Sequence, residues 1–407
     1  MAFLITENLE SGYYIMDFKK VFVKAVAGLT LAGSLVQAAP LAVSAQEGDP
    51  IVIGSNYELS GYASSYGVAL TEGTELAVEH LNEQGGILGR PVELQSIDNK
   101  SDKTETASVA TRMVEEGADA IVGPAATDVV NAGKPIYDEA GITTIIPAAT
   151  ADDTTFREDG SVIENLYRLA FTYTYQANAA ARYSFNELGA TKAVVLTDTS
   201  NDYSTGQAEP FKAEFERLGG EIVTEEFYQS GEQDFSAIVT NLLAQDFDVI
   251  YMPAFYTEGG LFIKQAREFG LAQPIFSGHG FATDTLVELA GPQNATEVYY
   301  TSQFFPGAED EQSQAFVAAY EEKYNKTPDT FAAFGYDSIF VLAEAMERAG
   351  STEYEAVSAE LANTEYQGLT GLVEFDENHN PANNAPMRKM VDGEIVDTFE
   401  VDGRPAE

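Results

Sequence analysis

The sequence contains no cysteine and no tryptophan, and it has only three histidines. Without cysteine there can be no disulfide bond, no cysteine nucleophile and no lipid-modified cysteine behind a signal peptide. The histidines, His80, His279 and His379, are scattered along the chain, and none has a second ligand at metal-binding spacing. The chain also lacks a phosphate-binding Gly-Lys-Ser/Thr loop and a nucleophile elbow. We therefore expect no metal site, no catalytic residue and no cofactor.

Basic residues are scarce, since 22 Lys and Arg face 65 Asp and Glu, for a net charge of −43. Such a surface repels nucleic acid and anionic membrane, so neither is expected as a partner. The hydrophobic content of 44% is nevertheless enough for a packed core. Because salt screens repulsion between like charges, the charge also indicates adaptation to a salty medium, where the melting temperature should rise with salt.

No run beyond residue 45 reaches the length of a membrane span. Residues 16–45 instead have the pattern of a secretory signal peptide. Three lysines precede an apolar segment at 25–39, and Val43-Ser44-Ala45 follows as a small-residue cleavage site. Residues 1–15 precede the second methionine, Met16, and are interpreted as a spurious N-terminal extension. The sequence thus predicts export to the periplasm.

The segment 118–150 predicts two neighbouring strands of a parallel sheet. Two short apolar runs, at 120–122 and 142–146, each end in a turn of small residues, and a helical segment separates them. Ligands of such sheets bind beyond the carboxyl ends of the strands. Thr127 and Thr150 follow these two ends, and we expect their hydroxyls and nearby main-chain amides to meet one small polar ligand.

Strands and helices alternate through two successive sets of β/α units, from residue 51 to about 170 and then to about 280. This alternation predicts an α/β protein with two doubly wound lobes. Two further helices are predicted at 311–324 and 330–349, followed by short strands from Leu372 onward.

Aromatic residues recur in loops after strands or at the starts of helices. Tyr66, Tyr203, Phe255 and Phe331 are placed where a cleft between the lobes would be, with Tyr203 in the polar loop at 197–205. Aromatic side chains commonly line ligand pockets, because they provide a large contact surface and lose little conformational entropy when a ligand binds. Taken singly, each is more simply explained as a structural residue, although Tyr203 is harder to explain as part of a core.

The chain resembles the periplasmic binding proteins for branched-chain amino acids, the receptors of ABC importers, over essentially all of residues 50–400. The segments that carry the resemblance are Leu59-Ser60-Gly61, Tyr66-Gly67, 82–90, Ile121-Val122-Gly123-Pro124, Ala140-Gly141-Ile142, Pro147-Ala148-Ala149-Thr150, Asp234-Phe235-Ser236 and Gly335-Tyr336-Asp337-Ser338.

The resemblance implies a type I periplasmic binding fold, in which two Rossmann-like lobes joined by three hinge crossovers close on a ligand. Lobe 1 would comprise residues 50–169 and 303–374. Lobe 2 would comprise residues 170–302 and 375–407.

The resemblance also implies a binding site. The ligand carboxylate would be held by Thr127 and Thr150, and the Ala148 carbonyl would help to hold the ligand ammonium. Tyr66, Tyr203, Phe255 and Phe331 match the aromatic wall of the family. His279 falls where the family has an acidic residue that pairs with the ammonium, and a protonated imidazole would repel that group. This departure leaves open a branched-chain amino acid, another amino acid, or a small carboxylate without an ammonium.

The function that follows is a monomeric periplasmic receptor that delivers a small amino acid-like molecule to an ABC permease in the inner membrane. One alternative is a ligand-sensing module that acts with a separate signalling partner. Another is a hydrolase that uses His279 as its base, although the sequence offers no convincing nucleophile or acid beside it.

Overall fold

The computed structural model describes residues 48–381 and 385–405, so the proposed signal peptide lies outside the described residues. The described chain forms eleven helices and fourteen strands. The strands are β1 Ile51–Tyr57, β2 Val92–Asp98, β3 Ala120–Val122, β4 Thr143–Ile146, β5 Leu166–Arg168, β6 Lys192–Asp198, β7 Glu221–Tyr228, β8 Val249–Tyr251, β9 Ile275–Ser277, β10 Val298–Thr301, β11 Tyr366–Gly368, β12 Gly371–Val373, β13 Ala385–Val391 and β14 Glu394–Val401. The helices are α1 Ser64–Gln84, α2 Lys103–Glu115, α3 Thr127–Ala140, α4 Tyr173–Asn186, α5 Asp202–Arg217, α6 Ser236–Leu243, α7 Tyr256–Glu268, α8 Asp284–Ala290, α9 Glu311–Tyr324, α10 Thr330–Ala349 and α11 Tyr354–Leu361.

The first sheet contains five parallel strands in the order β2-β1-β3-β4-β5. Its central strands are short apolar runs that are buried on both faces, as expected where helices cover a parallel sheet. β3 and β4 are direct neighbours, with Ile121 opposite Thr144. The sequence prediction of two adjacent strands in the segment 118–150 is therefore confirmed.

The second sheet contains seven strands in the order β14-β13-β10-β9-β8-β6-β7. The strands β6 to β10 run parallel, while β13 pairs antiparallel with β10 and β14 antiparallel with β13. Aromatic side chains dominate the core between this sheet and its helices, and Phe211 stacks on Tyr251 with ring centroids 4.0 Å apart. The α/β fold with two sheets agrees with the alternation in the sequence.

The chain passes between the two sheets three times. It leaves the first sheet after β5, and it returns after β10 to form α9, α10 and α11, of which α10 contacts α1 and β3, and α11 contacts β4. It then crosses again between β12 and β13. We call each of the two larger sheets, together with the helices that pack on it, one half of the described chain. The three crossovers lie along the boundary between these two halves.

A close crossing of α1 and α10 positions two aromatic residues at this boundary. A Cβ atom on Gly73 would lie 1.9 Å from the Ala332 carbonyl oxygen, and one on Gly335 would lie 2.1 Å from the Leu70 carbonyl oxygen. Only glycine permits this approach. The same two helices carry Tyr66 and Phe331 at their amino-terminal ends.

None of the described helices combines the length and apolar character that crossing a membrane requires. The helices predicted at 311–324 and 330–349 have the predicted bounds, because Asp310 and Asp329 accept hydrogen bonds from the first turns of α9 and α10. α5 begins earlier than expected. Asn201 accepts hydrogen bonds from the amides of Tyr203 and Ser204, so Tyr203 lies in the first turn of a helix, not in a loop.

Candidate functional site

The carboxyl ends of β3 and β4 bring Thr127 and Thr150 into contact. Thr127 is the first residue of α3, and its hydroxyl accepts a hydrogen bond of 3.0 Å from the Thr150 amide. Both residues are buried. The Thr150 hydroxyl has no hydrogen-bond partner among the described residues. A buried hydroxyl without a partner is costly, so the Thr150 hydroxyl is one of the buried polar atoms that remain available to a further polar group.

Tyr173, at the start of α4, completes a cluster of three hydroxyls, which we call the hydroxyl cluster: Thr127, Thr150 and Tyr173. The Tyr173 amide donates to the Thr150 carbonyl at 2.7 Å. Its own hydroxyl lies beside the Thr127 side chain, without a hydrogen bond of good geometry in the described structure. The Tyr173 ring packs against α5, where a side chain on Gly206 would lie 2.2 Å from it.

The Glu58 side chain forms hydrogen bonds with the main-chain amides just before α3. It follows β1, is fully buried, and its carboxylate accepts from the amides of Ala125 and Ala126 at 3.0 to 3.2 Å. Burial raises the pKa of Glu58 to about 7, against the opposing effect of these hydrogen bonds. The sequence analysis missed this residue, because a lone acid after a strand carries no signal of burial.

The four predicted aromatic residues lie together. Tyr66 stacks on Phe331 with ring centroids 4.3 Å apart and meets Phe255 edge-on at 5.6 Å, and Phe255 lies 5.1 Å from Tyr203. All four are buried. Tyr66 and Phe331 come from helices over the first sheet, whereas Tyr203 and Phe255 follow strands of the second sheet.

Hydrogen bonds also join the two halves at this point. The Tyr66 hydroxyl donates to the Gly280 carbonyl at 2.7 Å and accepts from the Tyr256 amide at 3.2 Å. The Gly280 amide in turn donates to the Tyr203 hydroxyl at 3.0 Å. Tyr256, which the sequence analysis did not single out, also donates its hydroxyl proton to the carbonyl of Tyr62.

His279 begins a short 3-10 helix after β9, and only 7% of its surface is exposed. Its amide donates to the Gln176 side chain at 2.9 Å, and its ring meets Phe331 edge-on at 5.5 Å. Burial lowers the pKa of His279 to about 4, although a hydrogen bond to the backbone of Ala148 favours the charged form. The imidazole is therefore neutral at pH 7.

This contact places Ala148 and His279 together, while the contact of Ala148 with a ligand stays a prediction. The sequence analysis assigned the Ala148 carbonyl to a ligand ammonium. In the structure the backbone of Ala148 lies beside the His279 ring and raises the pKa of the imidazole, against the larger effect of burial.

Within the described ranges, no three His, Asp or Glu side chains are grouped closely enough to hold a metal ion. The site combines a cluster of hydroxyls, a neutral imidazole whose ring lies beside the Ala148 backbone, and a group of buried aromatic rings. Such an arrangement suits binding of a small molecule with one polar end and an apolar body.

Comparisons with known proteins agree with this architecture. The family model described as "Periplasmic binding protein" matches residues 50–394. The chain is 27% identical to the Leu/Ile/Val-binding protein homolog 1 of Brucella abortus, over 86% of this chain and 93% of that protein.

Two solved structures are similar throughout. One is the branched-chain amino acid transporter substrate-binding protein LivJ from Streptococcus pneumoniae in complex with isoleucine. It has 35% identity and a TM-score of 0.81, over 87% of this chain and 99% of that one. The other is the leucine-binding protein LivK from Thermotoga maritima, with 31% identity and a TM-score of 0.79, over 86% and 99% of the two chains. The chain therefore belongs to the periplasmic binding protein family and has the type I fold that its sequence resemblance implied.

Proposed function

We propose that this protein is the periplasmic receptor of an ABC importer and that it binds an amino acid or a related small carboxylic acid at the boundary between its two sheets. The observation that carries the proposal is the meeting of Thr127 and Thr150, with the Thr150 hydroxyl buried and unpaired. The similarity to proteins whose names state binding of leucine, isoleucine and valine supports a ligand of this size.

The available contacts are sufficient for useful affinity. A hydrogen bond to a charged group contributes about 1.5–3 kcal/mol. Three or four such bonds, together with burial of an apolar body between Tyr66, Tyr203, Phe255 and Phe331, offset the cost of association. The sum reaches the roughly 8 kcal/mol that corresponds to micromolar binding.

Binding without catalysis fits the surroundings of His279. Its described contacts are the Gln176 side chain, the Ala148 backbone and aromatic rings. Among these rings Tyr203 carries a hydroxyl, which is engaged by the Gly280 amide and has its pKa raised by burial. The ligand would be captured by a single chain, released unchanged and passed to a permease in the inner membrane.

Thermal-shift screening of the purified protein against amino acids and small carboxylic acids tests the proposal. A ligand present at about 100 times its dissociation constant adds about 2.7 kcal/mol to the free energy of unfolding. At least one compound should raise the melting temperature and be recovered chemically unchanged. Loss of the gene should then abolish uptake of that compound by the cell. Absence of any shift, or chemical conversion of the compound, would contradict the proposal.

A further inference from the structure

We infer that, among small carboxylic acids, this site is built for those that carry no ammonium group, such as 2-oxo acids and apolar monocarboxylates. The inference rests on the proposed function and narrows its ligand class. It depends on the balance of donors and acceptors around the hydroxyl cluster and on the charge buried behind it.

Two main-chain acceptors at the site are already in use, and the Ala148 backbone lies beside the ring of His279. The Thr150 carbonyl accepts from the Tyr173 amide at 2.7 Å, and the Gly280 carbonyl accepts from a tyrosine hydroxyl at 2.7 Å. An ammonium brings three donors and no acceptor, and each donor needs a partner once it is buried. These carbonyls therefore provide few free acceptors for an ammonium group.

Donors, by contrast, are available. The hydroxyls of Thr150 and Tyr173 are buried and unpaired among the described residues. The Thr127 oxygen accepts from the Thr150 amide, which leaves its own proton free to donate. A carboxylate is an acceptor with two oxygens and about four lone-pair sites. It therefore matches the hydroxyl cluster, whereas an ammonium does not.

The charge directly behind the cluster has the sign that favours an anion, and it opposes the through-space effect of Asp128 and Asp202 on Tyr173. Arg168 is fully buried at the end of β5, and its guanidinium donates to two uncharged acceptors, the Ala151 carbonyl and the Asn380 side chain. Asp152 and Asp376 act on it only through space. Ala151 directly follows Thr150. A buried cation without a contacting carboxylate stabilises negative charge nearby and opposes positive charge.

The acidic residues around the site are engaged elsewhere. The Glu58 carboxylate accepts from the amides of Ala125 and Ala126. Asp128 accepts from a tyrosine hydroxyl, and Asp202 lies exposed at the start of α5. The unpaired hydroxyls of the cluster show that none of these carboxylates reaches it within hydrogen-bonding distance. An ammonium would have to draw one of them away from its present place.

His279 also favours a carboxylic acid without an ammonium group. Its imidazole is buried among the aromatic rings and is neutral above about pH 5, because its pKa is lowered to about 4. A neutral imidazole adds no negative charge to balance an ammonium. The aromatic rings beside it favour an apolar body on the ligand.

Titration calorimetry on matched compounds tests the inference. Each apolar amino acid is compared with its 2-oxo acid and with its deaminated acid, for example leucine with 4-methyl-2-oxopentanoate and with 4-methylpentanoate. At least one acid should bind ten-fold or more tightly than its amino acid. Equal or tighter binding of the amino acids overturns the inference and leaves the proposed function standing. If no compound of any set binds, both are overturned.

Two variants and one control sharpen the test. Tyr173→Phe removes an unpaired hydroxyl and should weaken binding of the acid about 5- to 20-fold without lowering the melting temperature. His279→Glu should shift the preference toward the amino acid. His80→Gln alters a half-buried histidine on α1 that is hydrogen-bonded to Tyr336 on α10, and it should change neither result. Unchanged acid binding in Tyr173→Phe, or an unchanged preference in His279→Glu, contradicts the inference.

Discussion

The strand ends of the two sheets contribute different chemistry to the site. The ends of β3 and β4 in the first sheet lead to Thr127 and Thr150, which meet through a hydrogen bond. The ends of β8 and β9 in the second sheet lead to Phe255 and His279, which are buried and uncharged at neutral pH. Under the proposed function, the first sheet would supply groups for the charged end of a ligand, and the second would supply the surface for its body. A ligand that needs both would stabilise the halves against each other.

The largest difference between the two sheets is expected in the free energy of unfolding at acid pH, where His279 becomes protonated. The pKa of His279 is lowered from 6.5 to about 4 by burial. The protein should therefore keep the full contribution of the neutral imidazole above pH 6.5 and lose it as the pH falls towards 4, by up to about 3 kcal/mol. His279→Asn should flatten this part of the pH profile of the free energy of unfolding. His80 and His379 also have lowered pKa values, so some slope should remain. An unaltered profile would mean that His279 is not buried as described.

Glu58, on the side of the first sheet, should respond in the opposite direction. Its pKa is raised from 4.5 to about 7, so the folded protein holds this proton more tightly than the unfolded chain. The free energy of unfolding should then fall as the pH rises from 4.5 to 7, by up to about 3 kcal/mol from this group.

Glu58→Gln keeps an oxygen acceptor for the amides of Ala125 and Ala126 and removes the ionisation. The variant should be more stable than the wild type at pH 8 and similar to it at pH 4.5. Denaturant unfolding at the two pH values measures this difference. Equal destabilisation at both would show that the carboxyl does not titrate in this range.

Removal of the Thr127 hydroxyl tests the polar end directly. Thr127→Val should weaken ligand binding by about 10- to 100-fold, because a hydrogen bond to a charged group contributes about 1.5–3 kcal/mol. It should also lower stability, since the Thr150 amide would lose its partner. Thr111→Val, on the exposed face of α2, is the matched control. Calorimetric affinity equal to the wild type would remove Thr127 from the site.

The smallest effect is expected where the two halves touch. Tyr66→Phe leaves the Gly280 carbonyl and the Tyr256 amide without their shared hydroxyl. Closure should be weakened, and ligand affinity should fall about 5- to 20-fold, equivalent to about 1–2 kcal/mol. The dissociation rate measured by stopped flow should rise accordingly. Tyr299→Phe, which removes a hydroxyl within the second sheet, should leave that rate unchanged.

Much of the fold follows from sequence patterns with a local cause. The bounds of α9 and α10 were predictable because Asp310 and Asp329 cap them. The proximity of Thr127 and Thr150 followed from the rule that adjacent parallel strands end at one edge of a sheet. The aromatic residues also lie together, although their contact with a ligand stays a prediction.

Other features depend on tertiary burial, which the sequence pattern does not carry. Arg168 lies at the end of a three-residue strand, and nothing in that segment indicates a fully buried guanidinium. Glu58 and Tyr173 were missed for the same reason. Tyr203 was assigned to a loop because the capping role of Asn201 was overlooked. The neighbour of Ala148 was not predictable either, because His279 comes from a segment 131 residues further along the chain.

The most direct test is a crystal structure with the tightest-binding carboxylic acid. The account expects one carboxylate oxygen about 3 Å from the Thr127 hydroxyl and another about 3 Å from the Thr150 hydroxyl, with the body of the ligand against Phe255 and Phe331. A carboxylate placed against His279 with the threonines unoccupied, or a ligand outside the boundary between the sheets, would contradict it.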